Sequence, residues 1–224
     1  MLQELFCEIA GHQFSVETPD MEMTATLLPS FRPFWIEKDA ALGEYVGSGE
    51  IDEIRETDET RGTYKTGEAG NNSTPSTSIS NELLFRFSGN KDISVPETEP
   101  VETMDFEGTK FHVYRTEEGT TISMRIEDKI HYMFASKDRE VFNSDMTLAK
   151  REESQFLLYL LRAAYGMAAI HHQTIKIHAS VTEKEGKALI FLGKSGTGKS
   201  THSRLWKEFV PESSLLNDDE PIVR

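Results

Sequence analysis

Hydrophobic and polar positions alternate along much of the first 145 residues, which predicts a β-rich region. Residues 4–17 predict a hairpin that turns near Gly11. Residues 31–37 are aromatic and contain an internal proline, so they predict an edge strand or an extended segment. Residues 44–54 predict a further strand, which glycines interrupt.

A three-stranded antiparallel meander is predicted in the second half of this region. Apolar side chains alternate in residues 111–114, 121–126 and 130–134, and turn residues separate the three runs. The pattern buries one face of the sheet, and His112 and His131 belong to the opposite, polar face. No cysteine or histidine lies at ligand spacing from either, so we interpret both as surface residues and not as metal ligands.

The period of the apolar positions changes from two to 3.6 in residues 147–172, which predicts an amphipathic helix. Its apolar face comprises Phe156, Leu157, Leu160, Leu161, Ala164 and Ala168. His171 and His172 lie at the predicted C-terminal end, where a cation interacts favourably with the helix dipole. We prefer this interpretation to a metal site, because the side chains of adjacent helical residues point apart.

The rest of the chain combines a short apolar run, a glycine-rich segment and a second helix. Residues 187–193 (KALIFLG) are typical of a buried strand. The helix that follows the glycine-rich segment is predicted to end at Pro211. Its apolar face comprises Leu205, Phe209 and Val210.

The glycine-rich segment, residues 193–200 (GKSGTGKS), matches the phosphate-binding loop (P-loop) pattern G-x-x-x-x-G-K-[ST]. In such a loop backbone N–H groups curl around phosphate oxygens, and glycines leave room for that approach and tolerate positive φ. Lys199 would place a positive charge near the phosphates, and Ser200 would offer a hydroxyl to magnesium. The alternative is a surface turn rich in glycine and serine, which the preceding strand and the following helix disfavour.

Two polar groups flank the P-loop. Asp218 and Asp219 follow a short apolar pair, and a magnesium ion beside a phosphate loop would offset their mutual repulsion most simply. A solvated acidic turn is the alternative. His178 shares one face of a predicted strand with Ser180, which makes it a candidate to lie beside the γ-phosphate. A packed or surface strand histidine is the alternative there.

Composition describes an acidic protein of 224 residues with a formal net charge of −14. This charge argues against partners such as nucleic acid or an anionic membrane surface. Cys7 is the single cysteine, so no intramolecular disulfide can form. The first residues have no basic leader, and no run approaches the length of a transmembrane helix. We therefore expect a cytoplasmic protein.

The C-terminal segment resembles the kinase core of HPr kinase/phosphorylases. That family has a histidine, a P-loop and an aspartate pair in the same order as His178, residues 193–200 and Asp218–Asp219, and at similar spacing. Residues 201–206 and 217–221 resemble a group of kinases related to HPr kinase. The same stretch is similar to ATP-dependent phosphoenolpyruvate carboxykinases, which share the nucleotide-binding core. The resemblance covers about the last quarter of the chain.

The expected fold class is α+β or α/β. We expect a β-rich antiparallel region at residues 1–145, with a mobile polar loop near residues 61–81. The resemblance implies a P-loop nucleotide-binding kinase core of the HPr kinase and phosphoenolpyruvate carboxykinase type at residues 146–224. These families continue beyond the point where this chain stops, so we expect a core truncated at its C-terminus.

The resemblance implies an ATP-dependent kinase that transfers the γ-phosphoryl group of MgATP to a hydroxyl of a protein or small molecule. The nucleotide-binding residues would be Gly193, Lys194, Ser195, Gly196, Thr197, Gly198, Lys199, Ser200 and Thr201. The catalytic residues would be His178, Lys199, Asp218 and Asp219, and the ligands of magnesium, or of manganese as an alternative, would be Ser200, Asp218 and Asp219. One aspartate would hold the metal, and the other would accept the proton of the attacking hydroxyl with His178 orienting it.

Two other functions stay open at this stage. A carboxykinase would act on oxaloacetate with His178 as a metal ligand, but that family is longer and uses upstream basic residues that we do not find. A non-catalytic nucleotide sensor would not need His178 or both aspartates. Relatives of HPr kinase commonly form oligomers, so the resemblance also implies a homo-oligomer. The sequence does not identify the acceptor.

Overall fold

The computed structural model describes residues 2–37, 83–106 and 108–224 of the chain. The strand predicted within residues 44–54 and the polar loop predicted near residues 61–81 lie outside the described residues. What is described is a mixed α/β protein with a large mixed sheet and few helices.

The described residues fall into two compact units, which divide between Gln173 and Thr174. The strands of the first unit are β1 (Gln3–Ile9), β2 (His12–Thr18), β3 (Trp35–Ile36), β4 (Phe85–Ser88), β5 (Glu102–Phe106), β6 (Thr109–Arg115), β7 (Gly119–Ile126), β8 (Lys129–Ser136) and β9 (Val141–Ser144). They form one sheet in the order β3-β1-β2-β4-β9-β8-β7-β6-β5. The helices of this unit are α1 (Met21–Leu27) and α2 (Ser154–Ala169), with 3-10 turns at Pro29–Phe34, Arg151–Glu153 and Ile170–His172.

The predicted hairpin and the predicted meander are both confirmed. Strands β1 and β2 pair antiparallel around a turn in which Ala10 and Gly11 have positive φ, and Phe14 and Val16 are completely buried. Strands β6, β7 and β8 pair antiparallel in chain order. Residues 31–37 begin as a 3-10 turn and provide only the two-residue edge strand β3.

The expectation of an antiparallel first region is confirmed in part, because the sheet is mixed. Strand β4 runs parallel to both of its neighbours, β2 and β9. Period-two alternation reports which face of a strand is apolar, and it carries no information about the direction of the neighbouring strand. Both partners of β4 lie far from it in sequence, so no tight turn forces an antiparallel pair.

Helix α2 provides much of the core of the first unit. All six residues of its predicted apolar face are buried. Its hydroxyl groups bond to this unit, since Tyr165 Oη donates to the carbonyl of Ile9 at 3.0 Å and Ser154 Oγ to that of Leu27 at 2.7 Å. The sequence interpretation grouped this helix with residues 146–224, whereas the contacts place it with the large sheet.

His131 does not lie on a solvent-exposed face, so that prediction is wrong. Its side chain is only 20% exposed, and its ring packs edge-on against Phe156 of α2 with centroids 4.7 Å apart. Nδ1 of His131 lies 3.1 Å from Oδ2 of Asp145. The alternation predicted that Ile130, Tyr132 and Phe134 form the buried face of β8, but the opposite face is the more deeply buried one, since Met133 and Ala135 are completely buried there.

The described part of the second unit has a three-stranded sheet, a two-stranded sheet and one helix. Its elements are β10 (Ile175–Lys176), β11 (Ala179–Lys184), β12 (Lys187–Leu192), α3 (Lys199–Phe209), β13 (Ser214–Asn217) and β14 (Ile222–Val223). Strands β12, β11 and β13 form an antiparallel sheet in that order, and β10 pairs with β14.

Two burial predictions for this unit are wrong. Strand β12 is an edge strand, and Leu192 on it is 70% exposed although the apolar run predicted a buried strand. The predicted apolar face of α3 is also open, since Leu205 is 44% and Phe209 70% exposed. Hydrophobicity gives a segment its preference for burial, but burial itself needs a partner surface.

No helix in the described part of the chain is long and apolar enough to cross a bilayer.

Candidate functional site

The P-loop connects β12 to α3, and its three glycines are required for two different reasons. Gly196 and Gly198 have φ of 79° and 87°, in the left-handed region that side chains disfavour. Gly193 lies outside that region, but a Cβ there would be 2.7 Å from Oγ1 of Thr197. The sequence pattern therefore reflects both backbone conformation and close packing.

The loop closes on itself before the helix begins. Thr197 Oγ1 donates to the carbonyl of Lys194 at 2.8 Å. Helix α3 then starts at Lys199 with Gly198 as its N-cap and no side-chain cap. The first N–H groups of an α-helix have no acceptor within the helix and carry partial positive charge, so this end of α3 can receive an anion.

Lys199 is folded over the loop that precedes it. Its Nζ donates to the carbonyls of Gly193 at 2.9 Å and Lys194 at 3.2 Å, and lies 2.8 Å from Nε2 of His178. These contacts hold the ammonium group at the mouth of the loop.

His178 lies in a bend between β10 and β11, and not inside one continuous strand as the alternation predicted. Nδ1 of its ring is 3.3 Å from Oδ1 of Asp219, and both side chains are more than half exposed. The backbone joins the same two segments, because Ala179 N donates to the carbonyl of Asp219 at 2.9 Å. His178 therefore contacts both the P-loop lysine and the second aspartate.

Asp218 is held by a buried pair of hydroxyls. Ser180 Oγ donates to Oδ1 of Asp218 at 2.6 Å and lies 2.5 Å from Oγ of Ser203. Both serines are fully buried, and Ser203 is also 3.2 Å from the carbonyl of Lys199. The first aspartate is thus tied through two side chains to the first turn of α3.

Sequence reasoning missed Ser203. It follows Lys199 by four residues, so the two lie on one face of α3. That spacing was the signal available in the sequence. It gives no indication of the partner, because Ser180 is 23 residues away on β11 and comes into contact only where α3 packs against that strand.

The predicted site residues surround one cavity of about 320 Å³. Those that line it are His178, Ser195, Gly196, Gly198, Lys199, Ser200, Thr201, Asp218 and Asp219. Gly193, Lys194 and Thr197 lie behind this lining, where they shape the loop and hold Lys199. The cavity is thus lined by a cation, a helix N-terminus and two carboxylates.

The oxygen donors of this cavity suit a magnesium ion. Ser200 contributes a hydroxyl, and Asp218 and Asp219 contribute carboxylates. Magnesium is commonly bound through one or two carboxylates and takes its remaining ligands from water and phosphate oxygens. Across residues 2–37, 83–106 and 108–224 no cluster of three or more Asp, Glu, His or Cys side chains could form a complete protein cage for a metal. The donor set therefore fits a metal that arrives with a phosphate ligand.

The chain was compared with protein-family models, with curated proteins and with solved structures, and none of the three comparisons gave a match. The basis for inferring a function is therefore the chemistry of this cavity.

Proposed function

We propose that this protein is an ATP-dependent phosphotransferase, similar to HPr kinase/phosphorylases, that transfers the γ-phosphoryl group of MgATP to a hydroxyl acceptor. The observation that carries the proposal is the shared cavity. The P-loop with Lys199 lines it together with His178, Asp218 and Asp219. Phosphoryl transfer requires mainly that charge be neutralised and reactants be positioned, and these groups can do both.

The P-loop would bind the phosphates. Lys199 at present donates to two carbonyls and contacts His178, and phosphate oxygens would replace these partners. A charge-assisted bond from an ammonium to a phosphate is stronger than one to a neutral carbonyl, which favours the exchange. The N–H groups of Gly198, Lys199 and Ser200 at the start of α3 would add further donors.

The two aspartates would have different roles because their partners differ. Asp218 is fixed by the buried Ser180, which occupies only Oδ1, so this side chain is rigid enough to ligate a metal together with Ser200. Magnesium, when bound, would neutralise charge on the phosphate oxygens. Asp219 is exposed, and its side chain lies against the His178 ring, which suits a residue that meets an incoming acceptor.

The chemical step would then proceed as an in-line displacement. The acceptor hydroxyl oxygen attacks the γ-phosphorus, the bond from that phosphorus to the bridging oxygen breaks, and ADP leaves. The proton of the hydroxyl passes to the carboxylate of Asp219. His178 is a positioning residue, since its Nδ1 orients the Asp219 carboxylate.

The other two functions have less support from the cavity. Oxaloacetate is a dianion and needs several cations, but Lys199 is the one Lys or Arg among the described residues that line this cavity. A pure nucleotide sensor would need neither the His178–Asp219 contact nor the buried hydroxyl pair behind Asp218.

A turnover assay on the purified full chain tests the proposal. ADP formation would be measured with MgATP and one candidate acceptor at a time. The candidates are a serine-containing peptide, a sugar, a free hydroxy amino acid and oxaloacetate. Acceptor-stimulated ADP formation with a hydroxyl compound, and its loss in Asp219→Asn, is the expected result. Stimulation by oxaloacetate alone would indicate a carboxykinase instead, and MgATP binding without any turnover would indicate a sensor.

A further inference from the structure

A second cavity, of about 310 Å³, lies in the first unit at one end of strands β6, β7 and β8. Its lining residues are Arg115, Thr116, Gly119, Thr120, Lys137 and Arg139. The register of the sheet brings them together, because Arg115 pairs with Thr120 and Gly119 pairs with Ser136. We call this cavity the cationic pocket.

The three cations of this pocket have no ion-pair partner among the residues that the structure describes. Elsewhere in the same unit basic side chains do pair, as Arg86 does with Glu4 at 2.9 Å. The chain has 38 acidic and 24 basic residues, so its overall charge is negative. Three unpaired cations around one cavity are therefore a local exception to the charge of the chain. Gathering like charges costs free energy unless an anion compensates them.

No carboxylate lines the pocket among the described residues, although Glu117, Glu118, Asp138 and Glu140 are adjacent to lining residues in sequence. Asp138 lies between Lys137 and Arg139, but its Oδ1 accepts hydrogen bonds from Ser136 Oγ at 2.5 Å and from Glu140 N at 3.1 Å. Both bonds lower the pKa of Asp138, and the bond from Ser136 has the larger effect. They hold the carboxylate within its own turn. Among the described residues the cavity is therefore lined by three cations and by no carboxylate.

Part of the pocket is fixed in place before any ligand arrives. Arg139 has φ of 67°, and its Nη1 donates to Oγ1 of the buried Thr120 at 3.2 Å. Gly119 lets β7 approach β8 closely, since a Cβ there would lie 2.1 Å from the carbonyl oxygen of Ala135. A guanidinium held in this way loses little freedom when it binds a ligand.

We propose that the cationic pocket binds a small phosphate-bearing anion. Guanidinium groups match the geometry of phosphate oxygens, and the Lys137 ammonium and the Thr116 hydroxyl add donors that can reach a tetrahedral group from other sides. The volume lies at the lower end of small-molecule sites, which run from about 300 to about 1,000 Å³. This site belongs to the first unit and uses none of the residues of the proposed phosphotransferase.

Amide NMR titration of the full chain with inorganic phosphate tests the proposal. The protein would carry Lys199→Ala to weaken phosphate binding at the P-loop, and ionic strength would be held constant so that screening does not change. Saturable shifts are expected at residues 115–120 and 136–139. Lys137→Ala and Arg139→Ala should each weaken this binding on the order of tenfold, the effect of losing a charge-assisted hydrogen bond.

The matched control is Arg125→Ala. Arg125 is an exposed cation on the same strand, about 17 Å along β7 from Thr120, so its loss should leave the titration unchanged. Tighter binding of glycerol 3-phosphate than of inorganic phosphate would identify an organic ester as the ligand class, and the reverse would identify free phosphate.

Three outcomes would overturn the proposal: no saturable shift at the cationic pocket, equal weakening by Arg125→Ala, or tighter binding of malonate than of either phosphate. Lys137 is exposed and outside any strand, so its substitution tests the site even if Arg139→Ala disturbs the turn.

Discussion

Nζ of Lys199 lies 2.8 Å from Nε2 of His178. An ammonium group can only donate, so Nε2 must accept and the neutral ring carries its proton on Nδ1. The protonated Nδ1 lies 3.3 Å from Oδ1 of Asp219. One histidine thus links the P-loop cation to the carboxylate that we propose as proton acceptor.

This link predicts the tautomer of His178. In the nucleotide-free protein at mildly alkaline pH, nitrogen-15 NMR should show the ring protonated on Nδ1. Lys199→Met removes the donor to Nε2 and should let the Nε2–H form become populated. A ring protonated on Nε2 in the unsubstituted protein would contradict the arrangement.

Lys199→Ala should remove most ATP affinity and leave the fold intact. The side chain lines the cavity, and its ammonium group contacts two loop carbonyls and His178 outside the buried core. A lost hydrogen bond to a charged group costs about 1.5–3 kcal/mol, which corresponds to roughly 10- to 100-fold in affinity. Calorimetric titration with MgATP measures the loss, and circular dichroism checks the fold. Lys207→Ala, near the other end of α3, is the control that should bind normally.

Asn substitutions of the two aspartates should differ in effect. Asp218→Asn should weaken magnesium-dependent nucleotide binding, because its carboxylate is the one fixed beside Ser200 by the buried serines. Asp219→Asn should leave MgATP binding largely unchanged and slow turnover. Titrations at several magnesium concentrations, together with the ADP assay, separate the two. Equal losses of metal affinity would refute this division of roles.

His178→Ala should lower turnover by a factor of about a hundred, which is within the usual range for an acid–base element. MgATP binding should survive, because the P-loop and Asp218 are untouched. In a carboxykinase the same histidine would ligate manganese, which imidazole suits better than it suits magnesium. Manganese titration by electron paramagnetic resonance distinguishes the two, and a large rise in the manganese dissociation constant would rule out a positioning role.

Ser180→Ala should destabilise the protein and loosen Asp218. The Ser180 hydroxyl has one proton, which goes to the carboxylate, so Ser203 must donate either to Ser180 or to the carbonyl of Lys199. Removing a buried partner of this kind costs about 1–3 kcal/mol in the free energy of unfolding.

Urea denaturation measures this cost, and metal-dependent ATP binding should weaken in parallel. Ser214→Ala is the control, because its hydroxyl is on the exposed part of β13 and substitutions at such sites usually change stability by less than about 0.5 kcal/mol. An unchanged metal dependence in Ser180→Ala would show that Asp218 needs no such support.

Local patterns in the sequence determined the elements and the P-loop geometry. Alternation predicted the β1–β2 hairpin and the β6–β8 meander. The 3.6-residue period predicted an apolar face of six residues on α2, and all six are buried in the structure. The glycine positions of residues 193–198 predicted where the backbone needs positive φ or close approach. These properties depend on sterics and on periods of a few residues, so the sequence contains them directly.

Only the tertiary structure decided which distant segments meet. It set β4 parallel to its neighbours, covered His131 with α2, and left β12 and α3 with exposed apolar side chains. It also brought Ser180 to Ser203 and Arg115 to Arg139, pairs that are 23 and 24 residues apart in sequence. Such contacts depend on strand pairing and on the availability of a partner surface. Neither is encoded in any short stretch of the chain, which is why the residues of the two cavities became neighbours only in the fold.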